Sequence, residues 1–327
     1  DESVAAELGG HHPDGSAETG PLPEGPDPDD DAYQSANLGI KGSTQTGDYR
    51  WTYSLLALDS ETEFDQGVSE TSQAIAALGF HGSFTPAWEY QLLAGYAGEE
   101  LTSDFGFFET GFDSDRLQLS WQNQYAAGAN SNFSFGADWF DENGKSIYSW
   151  DESRSNMGLF AAWDFFANRF QSQVSGRWDD NSEFGSEFTG QAALGYEIGD
   201  HWQLMGSYGS AFRGPNLNEQ YSPGFGGLFA GNPDLDPESS TSAELGQRWS
   251  HPGAGTLSGE LYRTEVEDVL AFTGEEFLAI NIDEAGLKVI ELDYSLRRAD
   301  WLIGANSTFQ QGEDWLYGEP LLRRPEE

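Results

Sequence analysis

The chain has no cysteine among its 327 residues, so disulfides and thiolate metal sites contribute neither stability nor chemistry. It is poor in positive charge. Only 15 lysines and arginines stand against 56 aspartates and glutamates, a net charge of −41. Such a surface repels nucleic acid and attracts cations. No run of about 18 apolar residues occurs, which excludes a transmembrane helix. A membrane is not excluded, because a barrel strand alternates lipid-facing and lumen-facing residues and has a weak hydropathy signal. An initiator methionine, a charged n-region and an h-region are also missing, so the chain is expected to be an internal piece of a longer protein. No Gly-x-Ser-x-Gly elbow sits on a strand-to-helix turn, and no covalent chemistry is expected.

What is present is aromatic and rich in glycine: 11 Trp, 13 Tyr, 22 Phe and 40 Gly. The aromatics recur at regular spacing, which disfavours a disordered acidic chain. The spacing is two. Trp88, Tyr90, Leu92, Ala94 and Tyr96 share one face of a strand, with Glu89, Gln91, Leu93 and Gly95 on the other. Leu117, Leu119, Trp121 and Tyr125 oppose Gln118, Ser120, Gln122 and Gln124. The same holds for Phe170, Val174 and Trp178 against Gln171, Gln173 and Arg177, and for Trp202, Leu204, Tyr208 and Phe212 against Gln203, Ser207 and Arg213. Aromatics cap the apolar face at strand ends, as in a lipid-interface girdle.

Alternation alone does not separate a membrane barrel from a soluble β-sandwich. Length favours the barrel: the runs are about 10–14 residues, where globular strands average about 5–6 and a tilted membrane strand needs about 9–11. Connections also alternate. Short turns are expected at 45–48, 85–87, 126–131, 167–168, 199–200, 251–255 and 297–300. Long loops are expected at 13–32, 60–70, 99–115, 141–153, 179–187, 214–240, 265–276 and 311–320. Short turns on one side and long loops on the other are the outer-membrane pattern. About 14 strands fit between 34 and 312 at this spacing, with residues 1–33 mostly an acidic extracellular loop.

Four segments resemble a known family. Gly206-Ser-Tyr-Gly-Ser-Ala-Phe-Arg-Gly-Pro-Asn-Leu-Asn-Glu-Gln-Tyr221 is followed by Gly231-Asn-Pro-Asp-Leu-Asp-Pro-Glu-Ser239. This order resembles the barrel of TonB-dependent outer-membrane receptors. Ser175-Gly-Arg-Trp-Asp-Asp-Asn-Ser-Glu-Phe-Gly185 and Pro320-Leu-Leu-Arg-Arg324 resemble the cobalamin-receptor branch. The resemblance implies an all-β, antiparallel transmembrane barrel, present in part, with about 14 of the roughly 22 strands of such transporters. No plug domain and no TonB box are seen. The implied function is TonB-dependent uptake of cobalamin or a related corrinoid across the Gram-negative outer membrane, with TonB, the ligand and lipid as partners and no nucleic acid. The alternative within the class is a receptor for a ferric siderophore; outside it, a soluble acidic β-sandwich binding protein.

The resemblance also implies a Ca²⁺ site, with Asp29 and Asp31 before the strand at Tyr33 and Asp65 in the next extracellular loop. Hard cations take six to eight oxygens, so paired acidic loops on one side suit Ca²⁺. The plain alternative is a solvated acidic loop in a chain with 56 carboxylates. Arg213, Arg323 and Arg324 are rare positive charges. By parity Arg213 faces the lumen, either toward plug or substrate or paired with neighbouring carboxylates. His11-His12 reads as incidental rather than as a metal site.

Overall fold

The computed structural model describes residues 32–64, 67–147, 149–224, 229–274, 277–314 and 319–320. They form one 15-stranded sheet in which every strand pairs with its neighbours in sequence. The strands are β1 (Tyr33–Thr46), β2 (Tyr49–Phe64), β3 (Gly67–Thr85), β4 (Trp88–Asp104) and β5 (Glu109–Ala126). They continue with β6 (Ser131–Ser146), β7 (Trp150–Ala167), β8 (Phe170–Asn181), β9 (Gly185–Ile198) and β10 (Trp202–Arg213). A short helix, α1 (Leu217–Tyr221), precedes β11 (Glu238–His251), β12 (Gly255–Thr273), β13 (Leu278–Arg298), β14 (Trp301–Asp314) and the two-residue β15 (Glu319–Pro320). All ladders are antiparallel.

The register keeps two faces apart across eight strands. On one face Trp51, Phe80, Leu92, Trp121, Ala137, Leu159, Trp178 and Phe188 are successive cross-strand partners. One residue away, Arg50, His81, Gln91, Gln122, Gly136, Phe160, Arg177 and Thr189 form the matching row on the other face. A one-residue slip anywhere would exchange the two rows, since the side-chain period is two. Leu119, Trp121, Val174, Leu194 and Leu204 all lie on the apolar face, as expected, and Gln122, Gln173 and Gln191 on the polar one.

No described residue outside the sheet covers the apolar face. Leu194 is 55% exposed and Leu204 41%, whereas the buried apolar residues are only Leu217, Leu235, Ala279, Ala285 and Val289 among the described ones. A soluble sandwich would bury that face against a second sheet, so the sandwich alternative is set aside. Exposed apolar area on this scale is the contact surface of a membrane strand. Near the short turns the face ends in ring pairs: Trp88–Tyr125 at 5.9 Å, Phe133–Trp163 at 6.3 Å and Trp202–Trp249 at 6.4 Å between centroids. Asn123 breaks the apolar pattern and is nonetheless 1% exposed. The girdle covers it, and the Trp88 indole Nε1 donates to its Oδ1 at 3.1 Å.

The short turns fall where spacing placed them, at one rim. Gly47 (φ 61°) and Asn168 (φ 52°) supply the left-handed backbone that two of these hairpins require. The opposite, loop rim departs from expectation. Among the described residues, the segments expected as loops at 60–70, 99–115, 141–153 and 179–187 are largely strand continuations, with short tips at 105–108 and 182–184. The strands therefore reach 19 residues in β3 and 21 in β13. Above the membrane both faces of a strand meet water, so alternation disappears while pairing persists. Of the long loop expected at 214–240, the described residues 214–224 and 229–237 stay outside the sheet.

Candidate functional site

The site is the polar face at the loop rim, where the β10–β11 connection folds back over its neighbours. Pro215 follows β10, stops the strand and is fully buried. Asn216 then caps α1 in a reciprocal box: its side chain accepts from the Glu219 N–H at 2.8 Å, and Glu219 Oε2 accepts from the Asn216 N–H at 2.8 Å. Leu217, 4% exposed, points at the bare backbone of Gly144 beside Trp150. A Cβ on Gly144 would lie 2.6 Å from Leu217 Cδ1. The Tyr221 hydroxyl donates to Glu183 Oε1 at 3.1 Å, and burial followed by the Glu183 charge pushes the phenol pKa up. On the far side Asn281 ties the connection down: its Nδ2 donates to Asp236 O at 2.9 Å, while its Oδ1 accepts from the Asp236 N–H. The connection thus spans from β6–β9 to β13 as a strap.

Three arginines stand on this rim, each held by carboxylates. Arg213 stands on the polar face of β10. Its Nε donates to Glu238 at 2.6 Å and its Nη1 to Glu219 at 3.1 Å. The structure thus brings Arg213 to neighbouring carboxylates. Arg154 donates through Nη1 to Pro215 O at 2.6 Å and through Nη2 to Glu142 at 2.8 Å. Arg116 pairs with the other oxygen of Glu142 at 3.6 Å and stacks on Phe140 at 3.8 Å from the ring centroid. Arg116 and Arg154 were missed in the sequence because their partner lies on a different strand. Asp29, Asp31, Asp65, Arg323 and Arg324, and with them the Ca²⁺ expectation, lie outside the described residues.

Deeper on the same face is a locked cluster. Arg177 donates to Asp138 through Nη1 at 2.7 Å and to Asp179 through Nε at 2.7 Å. Asn156 donates to Asp179 Oδ1 at 2.8 Å, and Asp179 is 4% exposed. Gly158 makes room for this: a Cβ there would stand 2.0 Å from Arg177 Nη2. The branch-like segment 175–185 now has an account. Arg177 and Asp179 face inward in the cluster, and Asp180, outward, accepts from Ser186 at 2.7 Å. Asn181 Oδ1 accepts from the Glu183 N–H at 2.9 Å, and Gly185 closes the tip at φ 77°.

Between α1 and the lumenal face of β3–β6 lies a cavity of about 510 Å³. Ile75, Phe112 and Leu217 form its apolar wall; Gln73, Ser114, Asn216 and Asn218 its neutral polar wall; and Glu99, Asp115, Arg116 and Glu142 are its charged lining residues. Such a mixture binds a large ligand through an apolar surface and a few oriented polar groups; it offers no nucleophile–base pair.

The family model described as TonB dependent receptor-like, beta-barrel matches residues 22–326. The vitamin B12 transporter BtuB of Photobacterium profundum is 25% identical over 292 residues, 81% of this chain and 45% of that protein. BtuB of Vibrio cholerae is 35% identical over 155 residues, 45% of this chain and 24% of the relative. The chain therefore spans about half or less of the curated relatives it matches. Among solved structures, the siderophore receptor PirA of Pseudomonas aeruginosa superposes with a TM-score of 0.75 at 16% identity, over 86% of this chain and 57% of that one. The Serratia marcescens hemophore receptor HasR gives 0.75 at 14% identity, over 89% and 58%. At these identities the structures speak for the fold.

Proposed function

The chain belongs to the TonB-dependent receptor β-barrel family, and from that premise we propose that it is the wall of a receptor for cobalamin or a related corrinoid, driven by TonB. The observation that carries this reading is the similarity to vitamin B12 transporters over 81% of the chain. The rim chemistry supports it. A corrinoid is a large ligand with an apolar ring and many carboxamides, and the cavity beside α1 pairs apolar residues with carboxamide and hydroxyl side chains. The work of such a receptor is binding and passage, not bond breaking. Lipid contacts the Trp121–Phe188 face, ligand meets the loop rim, and coupling to TonB acts from the turn rim.

The test is binding of cyanocobalamin to the complete receptor in detergent, followed by cobalamin-dependent growth of a receptor-deficient outer-membrane host. Saturable binding and rescued growth are expected. Growth rescue by a ferric siderophore with no cyanocobalamin binding would replace this reading by the siderophore one.

A further inference from the structure

We propose that the α1 cavity is a charge-filtering subsite that admits an uncharged, carboxamide-bearing ligand and turns away anionic iron chelates. The proposal rests on the corrinoid reading and adds the residues that decide between the two ligand chemistries.

The argument starts from the arginines. An anionic chelate needs unpaired guanidinium or ammonium groups, and Arg is the side chain best suited to bidentate anion capture. On this wall Arg116, Arg154 and Arg213 have the right chemistry and the right height. None is available. Glu142 takes Arg116 on one oxygen and Arg154 on the other. Glu219 and Glu238 take Arg213 from two sides. Glu219 is itself fixed by the α1 capping box, and Glu238 Oε1 accepts from the Leu270 N–H at 2.6 Å, so neither swings away freely. Glu99 and Glu183 add further negative charge, and the groups that donate to them, Gln73 and Tyr221, are neutral. An anion entering here meets a negative field and must compete with carboxylates for every guanidinium. This is discrimination by repulsion, the negative half of specificity.

The groups left over are neutral. Ser114 and Asn218 make no side-chain hydrogen bond to another described residue and line the cavity beside Ile75, Phe112 and Leu217. The Asn216 amide uses only its Oδ1, in the cap. Gln73 donates to Glu99 at 2.5 Å, which leaves its own carbonyl as an acceptor. Amide and hydroxyl partners of both polarities beside an apolar floor suit carboxamide arms on an apolar ring.

The experiment measures dissociation constants of the complete receptor for cyanocobalamin and for a ferric tris-catecholate. The wild type is expected to bind the first and not the second. Ser114→Ala with Asn218→Ala, both outside the ion-pair network, should weaken cyanocobalamin about tenfold. Glu142→Gln should gain catecholate binding by releasing Arg116 and Arg154. If that variant fails to insert, Glu219→Gln with Glu238→Gln releases Arg213 and carries the same expectation. Equal wild-type affinity for both probes would overturn the filter, as would a double alanine variant within twofold of wild type or catecholate binding that no glutamine variant gains. A wild type that binds neither probe removes the corrinoid reading itself and this subsite with it.

Discussion

The two faces of these strands are held in place by opposite means. The outward face of β8 and β9 carries Trp178, Val174, Phe188 and Leu194, which stand exposed for lipid to cover. The inward face of the same strands carries Arg177 and Asp179, which are satisfied within the protein by Asp138 and Asn156. One face is stabilised by its solvent and tolerates any apolar residue of suitable size. The other is stabilised by named partners and tolerates few changes. Residues one apart in sequence therefore obey different rules.

The largest expected effect tests the outward face. Leu194→Arg should destabilise the receptor in a bilayer by roughly 2–4 kcal/mol near the midplane, while Gln191→Arg, on the lumenal face of the same strand, should stay within about 0.5 kcal/mol. Urea titration of the complete receptor in lipid vesicles reads both, and equal costs would erase the distinction between the faces. Next is a pair of adjacent aspartates. Asp179→Ala strips Arg177 and Asn156 of a buried acceptor and should cost about 1–3 kcal/mol. Asp180→Ala loses only an exposed contact with Ser186 and should cost under about 1 kcal/mol; the same titration ranks them. Gly185→Ala follows at about 1 kcal/mol, because nothing crowds a Cβ there and only the φ of 77° resists.

The smallest effect is titrational. The Tyr221 phenol has a raised pKa in the folded strap, so it holds its proton more tightly folded than unfolded. Its contribution is fully present below the ordinary phenol value of about 10 and is lost as pH rises through the folded value. Protease cleavage within 214–237 should therefore quicken above about pH 10 in the wild type. Tyr221→Phe should flatten that rise, and an unchanged profile would show that the hydroxyl does not hold the strap.

The face of each strand was legible in the sequence because lipid and lumen impose alternation: Leu119 and Gln122 were placed correctly with no partner in view. Turns were legible through glycine, proline and asparagine. The hairpin extensions of β2 to β9 above the membrane were not. Thr62 pairs with Ser69, and Glu100 with Asp113, polar residues on polar residues that carry no periodic signal. Arg213 could be assigned to the polar face by parity, yet Glu219 becomes its partner only after the strap folds back. Arg154 likewise meets Pro215 across 61 residues of sequence. Long-range polar pairing leaves no local mark.

Pairing in this sheet never skips a strand. Each hairpin takes its alignment from the one before, so an error in one turn would be inherited by every strand after it, and lipid-facing and lumen-facing residues would trade places downstream. Tight turns such as Gly47–Asp48 and Asn168–Arg169 act in this sense as checkpoints rather than linkers. Assembly can proceed hairpin by hairpin from contacts close in sequence, which favours speed. The strap, which reaches across several hairpins at once, can be fastened only after all of them are in register.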